Sequence, residues 1–243
     1  MLMAAGLGTR LRPLTDNIPK VMVPIADNLP LLEHQVRWLK AQGFKKFVIN
    51  LHYMPEVITE HFGDGSKLGV EIVYSDERDK LLEVGGGIKK AAPLLSDPFL
   101  LVYADHTHFL NFKELIDLHE SKGGLGAIIL KRSNDPQHGD VVEFDPETNL
   151  ITKWHNRPHN IHEAADHLRL NCGMDLLSKK ILDYIPENVV ISLDREIMHK
   201  VVEAGEKLYG LPTENPVLDI GNPDKYQYAK EWYQKNIKDH PYE

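Results

Sequence analysis

A glycine-rich loop, Ala4-Ala5-Gly6-Leu7-Gly8-Thr9-Arg10-Leu11-Arg12-Pro13-Leu14-Thr15, directly follows the first apolar run of the chain, residues 1–5, which predicts a strand. A parallel strand delivers its carboxyl end to the ligand crevice of an α/β sheet. Glycines at that place let backbone N–H groups approach phosphate oxygens, and Arg10, Arg12 and Lys20 add cations suited to phosphate. Because glycine-rich turns after strands are common, the spacing fits either phosphate binding or a turn with solvated charges.

Outward from this loop, short apolar runs alternate with amphipathic stretches, a pattern typical of βαβ units around a mostly parallel sheet. Further strands are predicted at 46–51, 70–74, 99–104, 127–130 and 168–175, and helices at 31–42, 86–95, 112–122, 179–184, 194–204 and 224–235. Two runs, 141–144 and 150–154, flank a polar turn and predict a β-hairpin. The predicted fold class is therefore α/β, a Rossmann-like three-layer sandwich with a mostly parallel central sheet and an inserted antiparallel β-hairpin.

Composition narrows the class of protein. The chain has 243 residues, with 28 basic and 36 acidic side chains and a formal charge of −8, which argues against broad nucleic-acid binding. Its single cysteine excludes an internal disulfide, and neither a signal-peptide pattern nor an apolar run of roughly 20 residues is present. We expect a cytoplasmic protein without nucleic-acid or membrane partners, and no linker or repeat divides it.

The stretch from Ala4 through Thr15 to Ile18-Pro19-Lys20 closely resembles the signature of the sugar-nucleotide pyrophosphorylases, the sugar-1-phosphate nucleotidyltransferases. The resemblance implies a loop that wraps a nucleoside triphosphate, with Arg10 holding the outgoing pyrophosphate and Lys20 neutralising phosphate charge. The residues that it assigns to nucleotide binding in this loop are Ala4, Ala5, Gly6, Gly8, Thr9 and Arg10. Val21 stands where the family usually has proline. Family members usually have a few more residues before the loop, so a short first strand and a truncated N-terminus are expected.

A second glycine-rich element, Glu83-Val84-Gly85-Gly86-Gly87, comes before an amphipathic stretch. From the residues alone it is either a helix-cap loop or a surface for flat contact with a base. It resembles the element that lies beside the nucleobase in the family, which implies that Glu83, Gly85 and Gly86 bind the nucleotide. Val84 replaces the usual threonine, so the identity of the base stays open.

Two aspartates are candidates for metal binding. Asp105 follows the apolar run 99–104 and would project into the crevice, although an isolated aspartate there is often a cap or turn residue. It matches the strand-end aspartate that binds Mg²⁺ in the family, and Asp219 matches the second metal carboxylate of the late Asp-Ile-Gly element. Two carboxylates and phosphate oxygens suit Mg²⁺. A zinc site at His106 and His108 is the less favoured alternative, since cysteine is almost absent.

Three sequence elements resemble the acceptor-binding elements of the family, less closely than the glycine-rich loop resembles its signature. Gly139 lies in a Gly-Asp-Val-Val run that resembles the family's Gly-Val-Val, and Asn171-Cys172-Gly173 resembles its Asn-Ala-Gly. Asn156-Arg157 stands where the family has Glu-Lys, which contact sugar hydroxyls and the sugar phosphate. Gly139, Asn156, Arg157 and Asn171 are therefore the predicted acceptor-binding residues, and the carboxylate lost at Asn156 leaves the acceptor open. The His-rich loop 155–167 is either a lid or plain surface.

Taken with this resemblance, the sequence predicts a Mg²⁺-dependent transfer of a nucleoside monophosphate from a nucleoside triphosphate to a sugar 1-phosphate. Arg10, Lys20 and Asp105 are the predicted catalytic residues, acting by charge neutralisation and alignment. Short members of the family that transfer guanylyl or uridylyl groups to mannose, heptose or N-acetylmuramate 1-phosphate are the leading comparison. Cytidylyl transfer to a non-sugar phosphate and a non-catalytic nucleotide-binding regulator are the alternatives.

The resemblance also predicts the domain organisation. We expect a single domain over residues 1–243, in which 1–135 mainly bind the nucleotide and 136–243 mainly bind the phosphorylated small-molecule acceptor. We expect neither the left-handed β-helix domain of longer relatives nor its acetyltransfer. A homodimer is one open option for the oligomeric state.

Overall fold

The structure is a computed structural model that describes residues 1–132, 136–163 and 165–237. It has a mixed α/β fold with a mostly parallel central sheet, which confirms the predicted fold class. No helix within the described residues is both long and apolar enough to cross a membrane. Ala164, inside the His-rich loop, lies outside the described residues.

The strands, numbered in chain order, are β1 Leu2–Met3, β2 Pro24–Ala26, β3 Leu29–Pro30, β4 Lys46–Leu51, β5 Glu71–Asp76, β6 Phe99–Tyr103, β7 His106–His108, β8 Gly126–Lys131, β9 Val141–Phe144, β10 Ile151–His155, β11 Leu168–Leu177, β12 Leu208–Thr213 and β13 Val217–Asp219. The α-helices are α1 Leu31–Ala41, α2 Pro55–Phe62, α3 Glu83–Ala91, α4 Lys113–Lys122, α5 His199–Glu203 and α6 Pro223–Asn236. Shorter helical turns lie at Thr9–Leu11, Lys20–Met22 and Lys179–Tyr184, and a π-helical turn at Leu193–Met198.

Two compact units share the chain. The first contains Met1–Leu81, Tyr103–Leu110 and Pro216–Glu243, and the second contains Leu82–Val102 and Asn111–Asn215. The predicted division of a single domain at residue 135 stays a prediction.

In the first unit, β4 lies between β1 and β5 and is parallel to both, with Ile49 opposite Leu2 and Tyr74. Every residue of β4 except Lys46 is buried, as expected for a parallel strand with neighbours on both edges. Helix α1 buries the apolar stripe predicted from its helical period, and it ends ahead of Gly43, which has a φ of 94°. The predicted helix over 31–42 is therefore confirmed, one residue shorter at its end.

In the second unit, β11 is the central strand and runs antiparallel to β6, β8 and β9. Its pairing with β8 is interrupted between Asn171 and Asp175, where Gly173 adopts a φ of 70°. The predicted hairpin is present as β9 and β10, whose turn is closed by the Asp145 carboxylate accepting from the N–H of Glu147 at 2.8 Å. Strand β12, which was not predicted, pairs parallel with β8.

Candidate active site

A buried threonine side chain fixes the conformation of the glycine-rich loop in the first unit. Gly8 adopts a φ of 65°, and its carbonyl accepts a 2.8 Å hydrogen bond from the hydroxyl of Thr15, which is fully buried. A Cβ at Gly8 would come within 3.1 Å of the Lys20 side chain and 3.2 Å of Thr15, and the positive φ would strain any other residue there. The loop is therefore folded tightly around Thr15, with Lys20 directly against it.

The loop presents hydrogen-bond donors to solvent. In the described part of the chain, the backbone N–H groups of Gly6, Leu7 and Gly8 donate no hydrogen bond to the protein, and Gly6 and Leu7 are exposed. Arg10 is also exposed and makes no ion pair within the described residues. Consecutive free N–H groups beside a cation form an anion-binding concavity, so Gly6, Gly8 and Arg10 have donors to offer phosphate oxygens. Ala4 and Ala5 are buried, and the nucleotide-binding role of all these residues stays a prediction.

A buried polar network holds the start of the loop, and it was not predicted from the sequence. The N–H of Ala4 donates to the Asn50 amide oxygen at 2.6 Å, and the Asn50 amide nitrogen donates to the Glu77 carboxylate at 2.7 Å. Asn50 is 1% exposed and Glu77 is fully buried. One signal was available, because Asn50 is the only polar residue between Phe47 and Leu51.

Lys20 and Asp105, separated by 85 positions in sequence, form the centre of the first unit's site. The Lys20 Nζ donates to Asp105 Oδ2 at 2.6 Å, and the other carboxylate oxygen lies 3.0 Å from His106 Nδ1. Lys20 itself is only 7% exposed. Burial alone would raise the pKa of Asp105, but His106 and Lys20 outweigh it and hold the pKa far below its ordinary value. Asp105 is therefore an anion at any physiological pH.

Asp219 is brought to the same place by a short antiparallel pairing. Strand β13 pairs with β7 so that Asp219 lies opposite His106, and the N–H of Ile220 donates to the Asp105 carbonyl at 3.1 Å. The Lys225 Nζ, one turn into α6, donates to Asp219 Oδ2 at 2.6 Å. Burial opposes ionisation of Asp219, but Lys225 and His106 outweigh it and lower the pKa, while Asp105 acts against them.

Two local features fix this second carboxylate. Helix α6 begins at Pro223 behind Asn222, whose side chain accepts from the N–H of Lys225 at 2.9 Å, so the first turn presents the Lys225 ammonium to Asp219. A Cβ at Gly221 would lie 2.7 Å from Asp219 Oδ1, so any other residue there would force the carboxylate to shift. The glycine of the predicted Asp-Ile-Gly element thus has a steric reason.

The two carboxylates fit a hard divalent cation in donor chemistry. Within the described residues no group of three or more His, Cys, Asp or Glu side chains could hold a metal ion. A metal at this place would therefore take Asp105 and Asp219 as its protein ligands and complete its coordination with water or phosphate oxygens, as Mg²⁺ commonly does. His108 is fully buried, and burial together with His34 and His106 lowers its pKa to about 3.

In the second unit, the predicted base-binding element starts α3. Glu83 has a φ of 58°, uncommon for a residue with a side chain, and its carboxylate accepts from the Arg195 guanidinium at 2.9 Å. The N–H groups of Gly85 and Gly86 donate to the Ile191 carbonyl at 2.9 and 3.2 Å. Both glycines thus pack against the backbone near Ile191, and their predicted contact with a base stays a prediction.

The predicted acceptor residues of the second unit form two groups. Gly139 and Arg157 meet around Asp140, whose carboxylate accepts from the Arg157 N–H at 3.0 Å, while His159 Nε2 lies 3.0 Å from the Gly139 carbonyl. The second group converges on the π-helical turn. There the Asn171 amide nitrogen donates to Asp194 Oδ1 at 3.0 Å.

Asn156 also contacts the π-helical turn and its continuation. Its amide nitrogen lies 2.7 Å from the Arg195 carbonyl and 2.8 Å from His199 Nδ1. This turn was predicted from the sequence as part of a helix, and no function was predicted for Asp194 or Arg195. Its only sequence signal is the dense charge of Asp194-Arg195-Glu196 at a helix start.

Comparison with known proteins gives consistent results. The family model described as nucleotidyl transferase matches residues 1–236. The chain is 31% identical to the UTP–glucose-1-phosphate uridylyltransferase of Synechocystis sp. and 32% identical to the mannose-1-phosphate guanyltransferase of Saccharomyces cerevisiae. These matches cover 98% and 93% of this chain but 64% and 62% of the relatives, so the chain spans under two thirds of their length.

A solved structure shows the same fold. The UDP-glucose pyrophosphorylase of Acinetobacter baumannii superposes with a TM-score of 0.80 at 18% identity, covering 98% of this chain and 93% of that one. At this level of identity the match concerns the fold alone, and it agrees with the predicted Rossmann-like class.

Proposed function

Because the chain belongs to the nucleotidyl transferase family, we propose that it transfers a nucleoside monophosphate from a nucleoside triphosphate to a sugar 1-phosphate and releases pyrophosphate. The observation that carries the proposal is the Lys20–Asp105 ion pair at 2.6 Å, packed against a loop with free N–H groups. The site thus combines donors for phosphate oxygens with a carboxylate that stays ionised. This combination suits phosphoryl chemistry, in which positioning and charge stabilisation do most of the work.

The proposed reaction is a direct displacement. An oxygen of the acceptor phosphate attacks the α-phosphorus, a new P–O bond forms, and the bond from the α-phosphorus to the bridging oxygen breaks, so that pyrophosphate leaves with the electron pair. The loop from Gly6 to Thr9 binds the triphosphate oxygens, and Arg10 and Lys20 stabilise the charge that grows on the leaving group. Mg²⁺ held by Asp105 and Asp219, when bound, would neutralise phosphate oxygens and orient them.

The names of the relatives favour guanylyl or uridylyl transfer. The Synechocystis relative is named for uridylyl transfer to glucose 1-phosphate, and the yeast relative for guanylyl transfer to mannose 1-phosphate. In the second unit, Gly139, Arg157 and Asn171 are proposed to contact the acceptor. Asn156, predicted together with them, contacts the Arg195 carbonyl and is proposed to position that part of the site. Arg157 supplies a cation for its phosphate.

The test is a pyrophosphate-release matrix of the four nucleoside triphosphates against hexose, heptose and amino-sugar 1-phosphates, with choline and polyol phosphates as further acceptors. We expect release with GTP or UTP and a sugar 1-phosphate, and only in the presence of Mg²⁺. Release with CTP and a non-sugar phosphate would replace the proposal by cytidylyl transfer. Triphosphate binding without release for any acceptor would identify a regulator instead.

The residue assignments have a matched control in the same chain. Lys113 and Asp117 form an exposed ion pair on α4, also at 2.6 Å. We expect Lys20→Met and Asp105→Asn to lower turnover by more than roughly a hundredfold, whereas Lys113→Met and Asp117→Asn leave it unchanged. Near-normal turnover of Lys20→Met would remove that lysine from the mechanism.

A further inference from the structure

We propose that Asp194 is a specificity-determining residue that accepts hydrogen bonds from hydroxyl groups of the acceptor sugar, with Asn171 beside it. This inference rests on the proposed function, because it concerns the acceptor of that reaction. The residues that carry it all lie in the second unit.

Asp194 occupies a fixed and accessible position. It lies in the π-helical turn Leu193–Met198, a kind of turn often found at functional sites. The turn is capped at Ser192, whose hydroxyl accepts from the N–H of Arg195 at 3.3 Å and whose own N–H donates to Glu196 at 2.8 Å. Asp194 is half-buried, so its carboxylate is held by the turn yet still reached from solvent.

The neighbour of this carboxylate is Asn171, one of the predicted acceptor-binding residues. The Asn171 amide nitrogen donates to Asp194 Oδ1 at 3.0 Å, and the Asn171 amide oxygen accepts from the N–H of Gly173 at 3.0 Å. A carboxylate has about four acceptor positions, and the Asn171 amide occupies only one of them. Asn171 thus orients a strong acceptor, which is the group that a sugar hydroxyl donates to most favourably.

A second carboxyl lies deeper, on the same strand as Asn171. Asp175 is fully buried, and neither of its carboxyl oxygens has a hydrogen-bond partner among the described residues. Burial and the charge of Asp194 raise the pKa of Asp175 well above its ordinary value, against a smaller opposing effect of Asn171. Burial therefore favours the neutral form of Asp175, and Asp194 is the carboxylate of this pair that is only half-buried.

Asn156, the other predicted acceptor residue near the turn, is engaged in holding the structure. Its amide nitrogen has two hydrogens, and its contacts are the Arg195 carbonyl at 2.7 Å and His199 Nδ1 at 2.8 Å. Since the carbonyl can only accept, the amide nitrogen must face it. Asn156 therefore ties the residues after β10 to the turn that carries Asp194, which makes it a positioning residue rather than a donor for the ligand.

The chemical class of ligand follows from this arrangement. A carboxylate beside an oriented amide suits a polyhydroxylated acceptor. A site built to bind a hydroxyl discriminates strongly against an analogue that lacks it.

The experiment compares Asp194→Asn with the wild type for a sugar 1-phosphate and its monodeoxy analogues. The asparagine keeps an oxygen for Asn171 but replaces the second acceptor by a donor. We expect the KM of the acceptor to rise roughly 10–100-fold, with the KM of the triphosphate within about twofold of wild type. For one deoxy analogue the rise should vanish, because the hydroxyl that Asp194 binds is already missing.

Glu203→Gln on α5 is the control, since Glu203 is exposed and the substitution removes the same charge. Asp194→Glu retains the charge in a displaced position and should alter the ranking of the deoxy analogues. An acceptor KM unchanged in Asp194→Asn, or raised equally for every deoxy analogue, would overturn the inference while leaving the proposed function intact. Failure of the wild type to bind or turn over any sugar 1-phosphate would overturn both.

Discussion

Two buried histidines of the first unit make its stability depend on pH. His34 on α1 and His108 on β7 are both fully buried, with 0% of each residue exposed to solvent. The His34 ring packs 5.3 Å from Phe109 and meets Tyr233 edge-on at 5.2 Å, measured between ring centroids. Burial lowers the pKa of His34 to about 4, against a hydrogen bond to the His108 backbone, and burial with two neighbouring histidines lowers that of His108 to about 3.

The direction in which stability changes with pH depends on whether the folded or the unfolded chain binds protons at the higher pH. An unfolded histidine titrates near pH 6.5, so below that pH the unfolded chain takes up protons that the folded chain refuses. The stability is thus fully present above about pH 6.5 and is lost as the pH falls toward the folded pKa values. Between pH 7 and pH 5 each histidine removes roughly 2 kcal/mol, or about 4 kcal/mol together, from a total that is typically 5–15 kcal/mol.

Urea unfolding at pH 7 and pH 5 measures this loss, followed by tryptophan fluorescence because Trp38 lies beside His34. His34→Gln removes one titration, so we expect its loss between the two pH values to be smaller than that of wild type by roughly 2 kcal/mol. His167→Gln, at an exposed histidine of the second unit, should behave like the wild type. Equal acid sensitivity of His34→Gln and wild type would refute the reasoning, because the buried ring would then titrate normally.

Two further substitutions test the support of the site. Gly221→Ala places a Cβ 2.7 Å from Asp219 Oδ1. We expect turnover to fall at least about tenfold, with an unchanged midpoint of thermal unfolding. Normal turnover at all Mg²⁺ concentrations would contradict this. Asn50→Ala removes the amide that accepts from the N–H of Ala4 and donates to the Glu77 carboxylate. We expect a loss of about 3 kcal/mol in the free energy of unfolding, and a loss under 1 kcal/mol would show that water replaces the amide.

The sequence predicted those elements whose pattern is local. Helix α1 and strand β4 were located within a residue, because a helical apolar period and a continuous apolar run each report burial directly. The π-helical turn at Leu193–Met198 was predicted as ordinary helix, since its apolar spacing differs little from that of an α-helix over one turn. Strands β7 and β13 were missed, because three-residue strands that pair over 110 positions leave no local pattern.

The candidate site likewise contains residues that the sequence predicted and residues that it did not. Lys20, Asp105 and Asp219 were singled out by motif, and the structure brings them together. Their partners were not predicted, because a carboxylate's counter-ion is set by tertiary position: nothing near Asp219 in sequence distinguishes Lys225 from a solvated lysine. Asn50 could have been found as a polar residue in a buried strand.

The lysine on each carboxylate determines what binding at this site must do. Asp105 and Asp219 carry two negative charges, and Lys20 and Lys225 carry two positive ones, so the quartet is neutral. An incoming ligand therefore meets ion pairs that are already satisfied. Under the proposed function, a nucleoside triphosphate would gain affinity by exchanging partners: each ammonium would move from carboxylate to phosphate, and a divalent cation would take its place on the carboxylate. Such an exchange leaves the total number of ion pairs nearly constant, so the affinity should depend on salt less steeply than the charge of a triphosphate suggests.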